Sequence, residues 1–367
     1  MQSDMHFYGV YAIARAAGLK PDDAHTIAYA SQYVDDSTKT DTEEHDDGGK
    51  MRGIATAHHN AQVAKNVIAD RLEQRRVWVP FHFLPGGEGE DLSEKLICRM
   101  DSPLAQEMMR NHIDHALRHE YALQLMGIAC HVYADTFSHW GFSGVCSSNN
   151  SADGDSFAFH NVDDPDMVTY LNTKFSRFMN DYVPDFVIDN WRKLASIMGE
   201  KASASLGHGA VGTYPDRPFL HWSFRYEKSG AVSDRDNPTN FLLACERMHE
   251  WLSEFARGYY GDETPGAVAF EDIRDEVRAI INRQAAKEGR IHAWRTAVSE
   301  GRLFTRDDEE RHSYDPSVWE GMKDRFASLE RSSDIIDQPV YRFHQAALYH
   351  RHFVLKIMLP RHGIAVY

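Results

Sequence analysis

At 367 residues, 42% of them apolar, the chain can bury a substantial core as one large domain or two ordinary ones. Its net charge of −15 excludes a general binder of duplex nucleic acid, which needs a basic face against the phosphates, but not an enzyme that holds a single phosphate on metal ions. Cys98, Cys130, Cys146 and Cys245 are widely spaced and read as free thiols of a reducing compartment, so with 21 histidines any bound metal must be held mostly by N and O.

The N-terminus, Met1-Gln-Ser-Asp-Met-His6, has neither a basic nor an apolar signal region, and no apolar run approaches the roughly 20 residues of a membrane span. A cytoplasmic protein without a transmembrane segment is the expectation. Tyr8 to Leu19 reads as a short helix that ends at Gly18, with Pro21 beyond. Asp22-Asp23 opens a second helix carrying Ile27, Ala28, Ala30, Ser31 and Val34, and Ser37 to Gly49 is an acidic loop or flap. Gln62 to Gln74 is helical in pattern. Val77 to Gly86, broken by Pro80 and Pro85, reads as an irregular extended segment. Pro103 to His139 forms one or two helices, Val145 to Asp155 a loop, and Met167 to Met198 a helix. Gly207 to Trp222 is too punctuated by Gly and Pro for a regular helix, and Ser229 to Thr239 is a polar linker. Asn240–Tyr259, Glu271–Glu300 and Pro339–Leu359 are further helices. The expected fold is all-α, with a metal-binding domain over residues 1–263 and a helical extension over 264–367 packed on it rather than independent.

The chemistry concentrates in His131-Val-Tyr-Ala-Asp135-Thr-Phe-Ser-His139, which closes the apolar stretch Leu123 to Cys130. On a helix, positions i, i+4 and i+8 form one slowly turning row, so two imidazoles and a carboxylate face the same way from an apolar wall. That ligand set suits zinc and similar divalent ions. The bland alternative is three polar residues satisfied separately in a helical core. Other polar groups stand where core residues are expected: His6 at the first helix, Asp35 and Asp36 at the end of the second, His82 inside Val79-Pro-Phe-His-Phe-Leu84, and His208 and Asp216 in the Gly-rich segment. Together they make a set the size of a multinuclear site.

His6 near a helix start, Asp35 after the second helix, His82 followed by Phe83, and His131-x-x-x-Asp135 with a later His139 resemble the zinc-dependent phospholipase C and fungal single-strand nuclease fold. The similarity spans about residues 4 to 222, and Met126 to Asp135 is its closest stretch. Tyr133 to Gly144 and Gly207 to Trp222 also resemble a bacterial family without assigned activity, placed on the same scaffold. The resemblance implies an all-α fold of phospholipase C/nuclease type with up to three zinc ions in a cleft. A first site would use Asp35, His82, His131 and Asp135. A second would use His139 with a later His and acid, and a third would share Asp135 and use His6. For the second site, His160 with Asp164 has the i, i+4 spacing of that family, whereas His208 with Asp216 lies in the more unusual sequence and is preferred. The secreted phospholipases also use the amine of a processed N-terminal Trp. Here Asp4 substitutes for it, or the third ion is weak or absent.

The expected function is a metal-dependent phosphoric ester hydrolase acting on a small phosphoester. Zinc-activated water would be the nucleophile, with Asp35 orienting or deprotonating it. The alternative is a non-catalytic helical protein that keeps the metal site. A lesser one is an HD-type phosphohydrolase, suggested by His45-Asp46 and His58-His59. His112, His115 and His119 read as a solvated helix face, and Phe343 to His352 as helix surface plus packing.

Overall fold

The computed structural model describes residues 1–58, 71–182, 206–305 and 313–366. A π-helical turn, Asp4–Gly9, leads into α1 (Val10–Ala16) and then α2 (Pro21–Asp36), which starts with Pro in its first turn and Asp22 and Asp23 at its positive end. A hairpin of β1 (Thr42–Glu44) and β2 (Lys50–Arg52) follows, then α3 (Arg71–Phe81), α4 (Pro103–Ala116) and α5 (Ala122–Ser138). Next come β3 (Ala158–Phe159), α6 (Pro165–Tyr182), β4 (His221–Arg225) and β5 (Val232–Asp236), the three strands forming one antiparallel sheet in the order β3-β4-β5. The chain finishes with α7 (Asn237–Tyr260), α8 (Phe270–Ile281), α9 (Lys287–Ser299), α10 (Ser317–Asp324) and α11 (Pro339–His352).

The organising element is α5, buried along nearly its whole length because its sequence is apolar on every side. It packs most extensively on α2, and α4, α7 and α11 cover its other faces. The close approach to α2 depends on Gly127. A Cβ there would stand 2.4 Å from the Ile27 carbonyl oxygen and 2.6 Å from the Ala30 Cβ. The missing side chain lets the backbones meet, and that brings Asp35, at the end of α2, opposite His131 and Asp135 on α5. A single hydrophobic cluster joins residues of the N-terminal helices to Trp294, Trp319, Phe343 and Phe353 of the C-terminal third. A smaller cluster, built on Phe142, Phe219, Trp222 and Phe224, sits under the three-stranded sheet.

The protein is mostly helical but not purely all-α, and the departures have local causes. The buried side chains of β5 are Ser233 and Arg235 rather than apolar residues, so in sequence the strand looks like a polar linker. The β1–β2 hairpin is too short and polar to show an alternating pattern. The segment around Val77 is helix rather than extended chain: Pro80 falls in the last turn of α3, where it interrupts only one i→i−4 bond, and its carbonyl oxygen, open at the helix end, accepts a hydrogen bond from His350 at 2.8 Å. Most of the helix expected at 62–74, and the part of the 167–198 helix after residue 182, lie outside the described residues. Of the histidines expected on a solvated face, His119 is exposed and His115 partly so, and His112 alone is corrected. His112 is fully buried and its Nε2 is 2.8 Å from Nδ1 of His350, itself fully buried on α11. Among the described residues, no helix is long and apolar enough to cross a membrane.

Candidate metal centre

α5 presents His131 and Asp135 one turn apart, and His139 follows as the residue that caps its end. α2 contributes Asp35, the turn after α3 contributes His82, and the loop before β4 contributes His208 and Asp216. Arg235 on β5 holds the end of α5. Its guanidinium donates to the Ser138 carbonyl at 2.7 Å and the Trp140 carbonyl at 2.9 Å, filling the acceptors that a helix C-terminus leaves open. Asn237 plays the same part for the Asp216 loop, donating to the carbonyls of Tyr214 and Arg217 at 2.9 and 2.8 Å.

Four histidines share one arrangement, in which each gives a ring N–H to a backbone carbonyl. His131 Nδ1 donates to Ser31 at 2.7 Å, His82 Nε2 to Thr56 at 2.9 Å, His139 Nδ1 to His82 at 2.9 Å and His208 Nδ1 to Gly212 at 2.6 Å. A carbonyl only accepts, so these nitrogens carry the protons and, in each neutral ring, the other nitrogen is a bare lone pair. All four bare nitrogens face carboxylates or one another. His131 Nε2 lies 3.3 Å from Asp135 Oδ2 and 3.3 Å from His82 Nδ1, and His82 Nδ1 lies 3.4 Å from Asp135 Oδ2. Asp35 Oδ1 completes the group at 3.9 Å from both nitrogens. A tetrahedral ion with arms of about 2.0–2.1 Å separates its ligand atoms by about 3.4 Å. In the second group, His139 Nε2 is 3.0 Å from Asp216 Oδ1, and His208 Nε2 is 3.6 Å from Asp216 Oδ2. His6 stacks on His131 with ring centroids 3.8 Å apart and places Nε2 3.2 Å from Asp135 Oδ1, while its Nδ1 has no hydrogen-bond partner among the described residues.

The electrostatics follow from this packing. Burial opposes ionisation of Asp135, yet His139, the Met1 amine, His131 and His6 outweigh it and hold the carboxyl well below its ordinary range. Asp216 and Asp35 are likewise held down against burial, Asp216 chiefly by the Met1 amine and His208, Asp35 chiefly by His131 and His6. Burial pushes the imidazoles the other way, His6 to about 3 and His208 to about 4, and lowers His82 as well. At neutral pH three carboxylates are therefore ionised among five histidines, and among the described residues the Met1 amine is the cation in contact, 2.6 Å from Asp135 Oδ1 and 3.2 Å from Asp216 Oδ1. Buried anionic charge facing bare lone pairs is costly unless a cation lies between them. The donor set therefore fits divalent ions such as zinc.

Every histidine and aspartate expected at the site falls in this cluster: His6, Asp35, His82, His131, Asp135, His139, His208 and Asp216. The His160 alternative falls elsewhere, on the exposed side of the three-stranded sheet beside His221 and Asp234. Asp4 does not reach the cluster, because Arg290 binds it at 2.6 Å in a buried ion pair. The Met1 amine was missing from the sequence-based set, since a backbone group leaves no residue-type signal. His58, of the His58-His59 pair, lines the cleft beside the cluster. His45 of the HD-type reading lies instead at the β1–β2 turn, donating to the Leu329 carbonyl. The cleft has a volume of about 200 Å³, with Trp78, Phe83 and Leu206 as apolar walls and Asp35, His82, His139 and His208 at its polar face.

The chain belongs to DUF6765, a family of unknown function whose pattern matches residues 1–358. No curated protein and no solved structure matches it.

Proposed function

We propose that the protein is a metal-dependent phosphoric ester hydrolase, with zinc as the preferred ion, on a scaffold of the phospholipase C and single-strand nuclease type. The observation that carries this reading is the inward-facing set of bare imidazole nitrogens and ionised carboxylates at the edge of an open cleft. Asp35, His82, His131 and Asp135 would hold one ion, and His139, His208 and Asp216 a second. His6 with Asp135 offers a weaker third position. The backbone carbonyls of Ser31, Thr56, His82 and Gly212 fix the ring orientations, a role such partners commonly play around metal-binding histidines. Two such ions, when bound, would supply a water of lowered pKa and positive charge for the phosphate oxygens.

Asp35 is the residue placed to act on that water. Its side chain is 28% exposed, while that of Asp135 is 1% exposed, so of the two it is the carboxylate that meets the cleft. Gln32 donates to its Oδ2 at 3.3 Å, which leaves Oδ1 directed at the imidazoles. Held ionised by those neighbours, it can orient a water or take its proton. Trp78 and Phe83 restrict bulk water at the same mouth.

The test is metal content per chain by mass spectrometry, on protein purified without a metal column, together with hydrolysis of bis(p-nitrophenyl) phosphate. Two or three zinc-like ions per chain in the wild type, mostly lost in His131→Ala, are expected. Asp35→Asn and chelator should each abolish hydrolysis. Turnover that survives both would overturn the reading. Stoichiometric metal without turnover of any phosphoester would favour the alternative, a helical metal-binding protein that keeps the site but does not hydrolyse.

A further inference from the structure

Another group of metal-ligating side chains lies away from the buried cluster, on the outer face of the three-stranded sheet. Successive residues of a strand point to opposite faces, and here the two faces are unlike. Trp222 and Phe224 of β4 turn inward to the smaller hydrophobic cluster, as does Arg235 of β5, whose guanidinium lies over Phe142. His221, Ser223 and Asp234 turn outward.

The register then gathers ligands from all three strands. β3 pairs with β4 at Ala158↔Ser223 and Phe159↔Trp222, and the next residue, His160, continues that register by donating its N–H to the His221 carbonyl at 2.8 Å. His160 therefore stands beside His221, with ring centroids 4.9 Å apart. The Ser223 hydroxyl, 2.9 Å from His160 Nε2, holds that ring from the same face. Across β4, Asp236 is directly opposite His221 but is committed to the start of α7, where its oxygens accept the Thr239 N–H at 3.2 Å and hydroxyl at 2.7 Å. The diagonal neighbour Asp234 reaches His221 instead, accepting from Nε2 at 2.8 Å. One ligand atom from each of His160, His221 and Asp234 lies within 4.8 Å of the other two. Around a tetrahedral ion with arms of about 2.0–2.1 Å the spacing is about 3.4 Å, and side chains this exposed close the difference by small rotations. Two imidazoles and one carboxylate suit zinc, copper or nickel rather than magnesium or calcium.

We propose that His160, His221 and Asp234 form a surface site for one divalent ion of the zinc class, separate from the buried cluster and independent of the activity proposed for it. His160 directly follows β3, His221 opens β4 and Asp234 lies in β5, so the ion ties the three strands together. The edge strand β3, paired at only two positions, gains most. The ion takes the place of the proton between His221 and Asp234, which is released on binding. Asp234 precedes Arg235, which holds the Ser138 and Trp140 carbonyls at the end of α5, so the clamp also steadies the strand behind that contact.

The test uses the full chain, stripped with chelator and dialysed against micromolar zinc, with metal content per chain read by mass spectrometry. Wild type should hold one ion more than His160→Gln, a difference in which the ions of the buried cluster cancel. His221→Gln and Asp234→Asn should remove the same ion or raise the zinc concentration it needs by about tenfold or more. Zinc should raise the melting temperature of the wild type more than that of His160→Gln, while the two chains melt alike in chelator. Equal metal content in wild type and His160→Gln overturns the proposal. So does an ion that is lost in His160→Gln but kept at unchanged affinity in His221→Gln and Asp234→Asn, because it would then sit on a lone imidazole.

Discussion

His131 and His344 do opposite things with a similar ring. His131 donates a hydrogen bond from Nδ1 to a backbone carbonyl and keeps a lone pair on Nε2 pointing at the carboxylates. His344 takes a backbone N–H on Nδ1 and keeps its proton on Nε2. The residue type is the same, and the local backbone partner decides the chemistry. His344 also makes a pH prediction. Burial, reinforced by Lys323 and opposed by Glu320 and Asp41, lowers its pKa to about 3, against about 6.5 in the unfolded chain. The folded state resists protonation, so its stability is undiminished above about pH 6.5 and falls as pH drops from there toward 3. Between pH 7.5 and 5 this one group should cost about 2 kcal/mol, seen in urea unfolding curves. The His344→Phe chain should show a shallower dependence, even from a lower starting stability. An unchanged slope would mean that His344 is solvated.

At the scale of elements, the site depends on how α5 is approached and how it ends. Gly127→Ala puts a methyl group against the α2 backbone. A shift of the helices costing about 1–3 kcal/mol is expected, and any metal held as proposed should bind more weakly because Asp35 moves away from His131. Denaturation and metal titration of the same variant should fall together. Arg235→Leu keeps bulk but leaves the Ser138 and Trp140 carbonyls without their donor. A loss of about 2 kcal/mol or more is expected, and metal occupancy should fall more at the His139–His208–Asp216 group than at the His82–His131 group. That difference would be visible as a drop in stoichiometry rather than complete loss. A merely structural role for Arg235 would leave the stoichiometry of the folded fraction unchanged.

Across the whole molecule, the first and last thirds are tied by buried contacts. Arg290 on α9 holds Asp4, three residues after the amine that meets Asp135. Tyr33 on α2 packs against Trp319 and Phe343, and its hydroxyl donates to Glu320. Arg290→Met leaves Asp4 as an uncompensated buried charge and should cost about 3–5 kcal/mol, whereas pairing it with Asp4→Leu should recover most of that loss. A chain ending at residue 263 is expected not to fold, since it loses Trp294, Trp319, Val340 and Phe343 from the shared cluster. A cooperatively melting fragment would show that the C-terminal helices are an accessory.

What the sequence determined by itself is the identity of the polar set and the helix at its centre. His131, Asp135 and His139 were legible because helical periodicity and an apolar background are both local properties. His6, Asp35 and His82 were legible as polar residues out of place in apolar surroundings. Only the tertiary structure decided the rest, for reasons that are non-local. His208 could be preferred to His160 only weakly in sequence, because the choice rests on whether the Asp216 loop or the three-stranded sheet meets the end of α5. The Met1 amine carries no residue signature. β5 was hidden because its buried residues are Ser233 and Arg235, whose partners lie on α5 and the loop beyond it rather than along the strand.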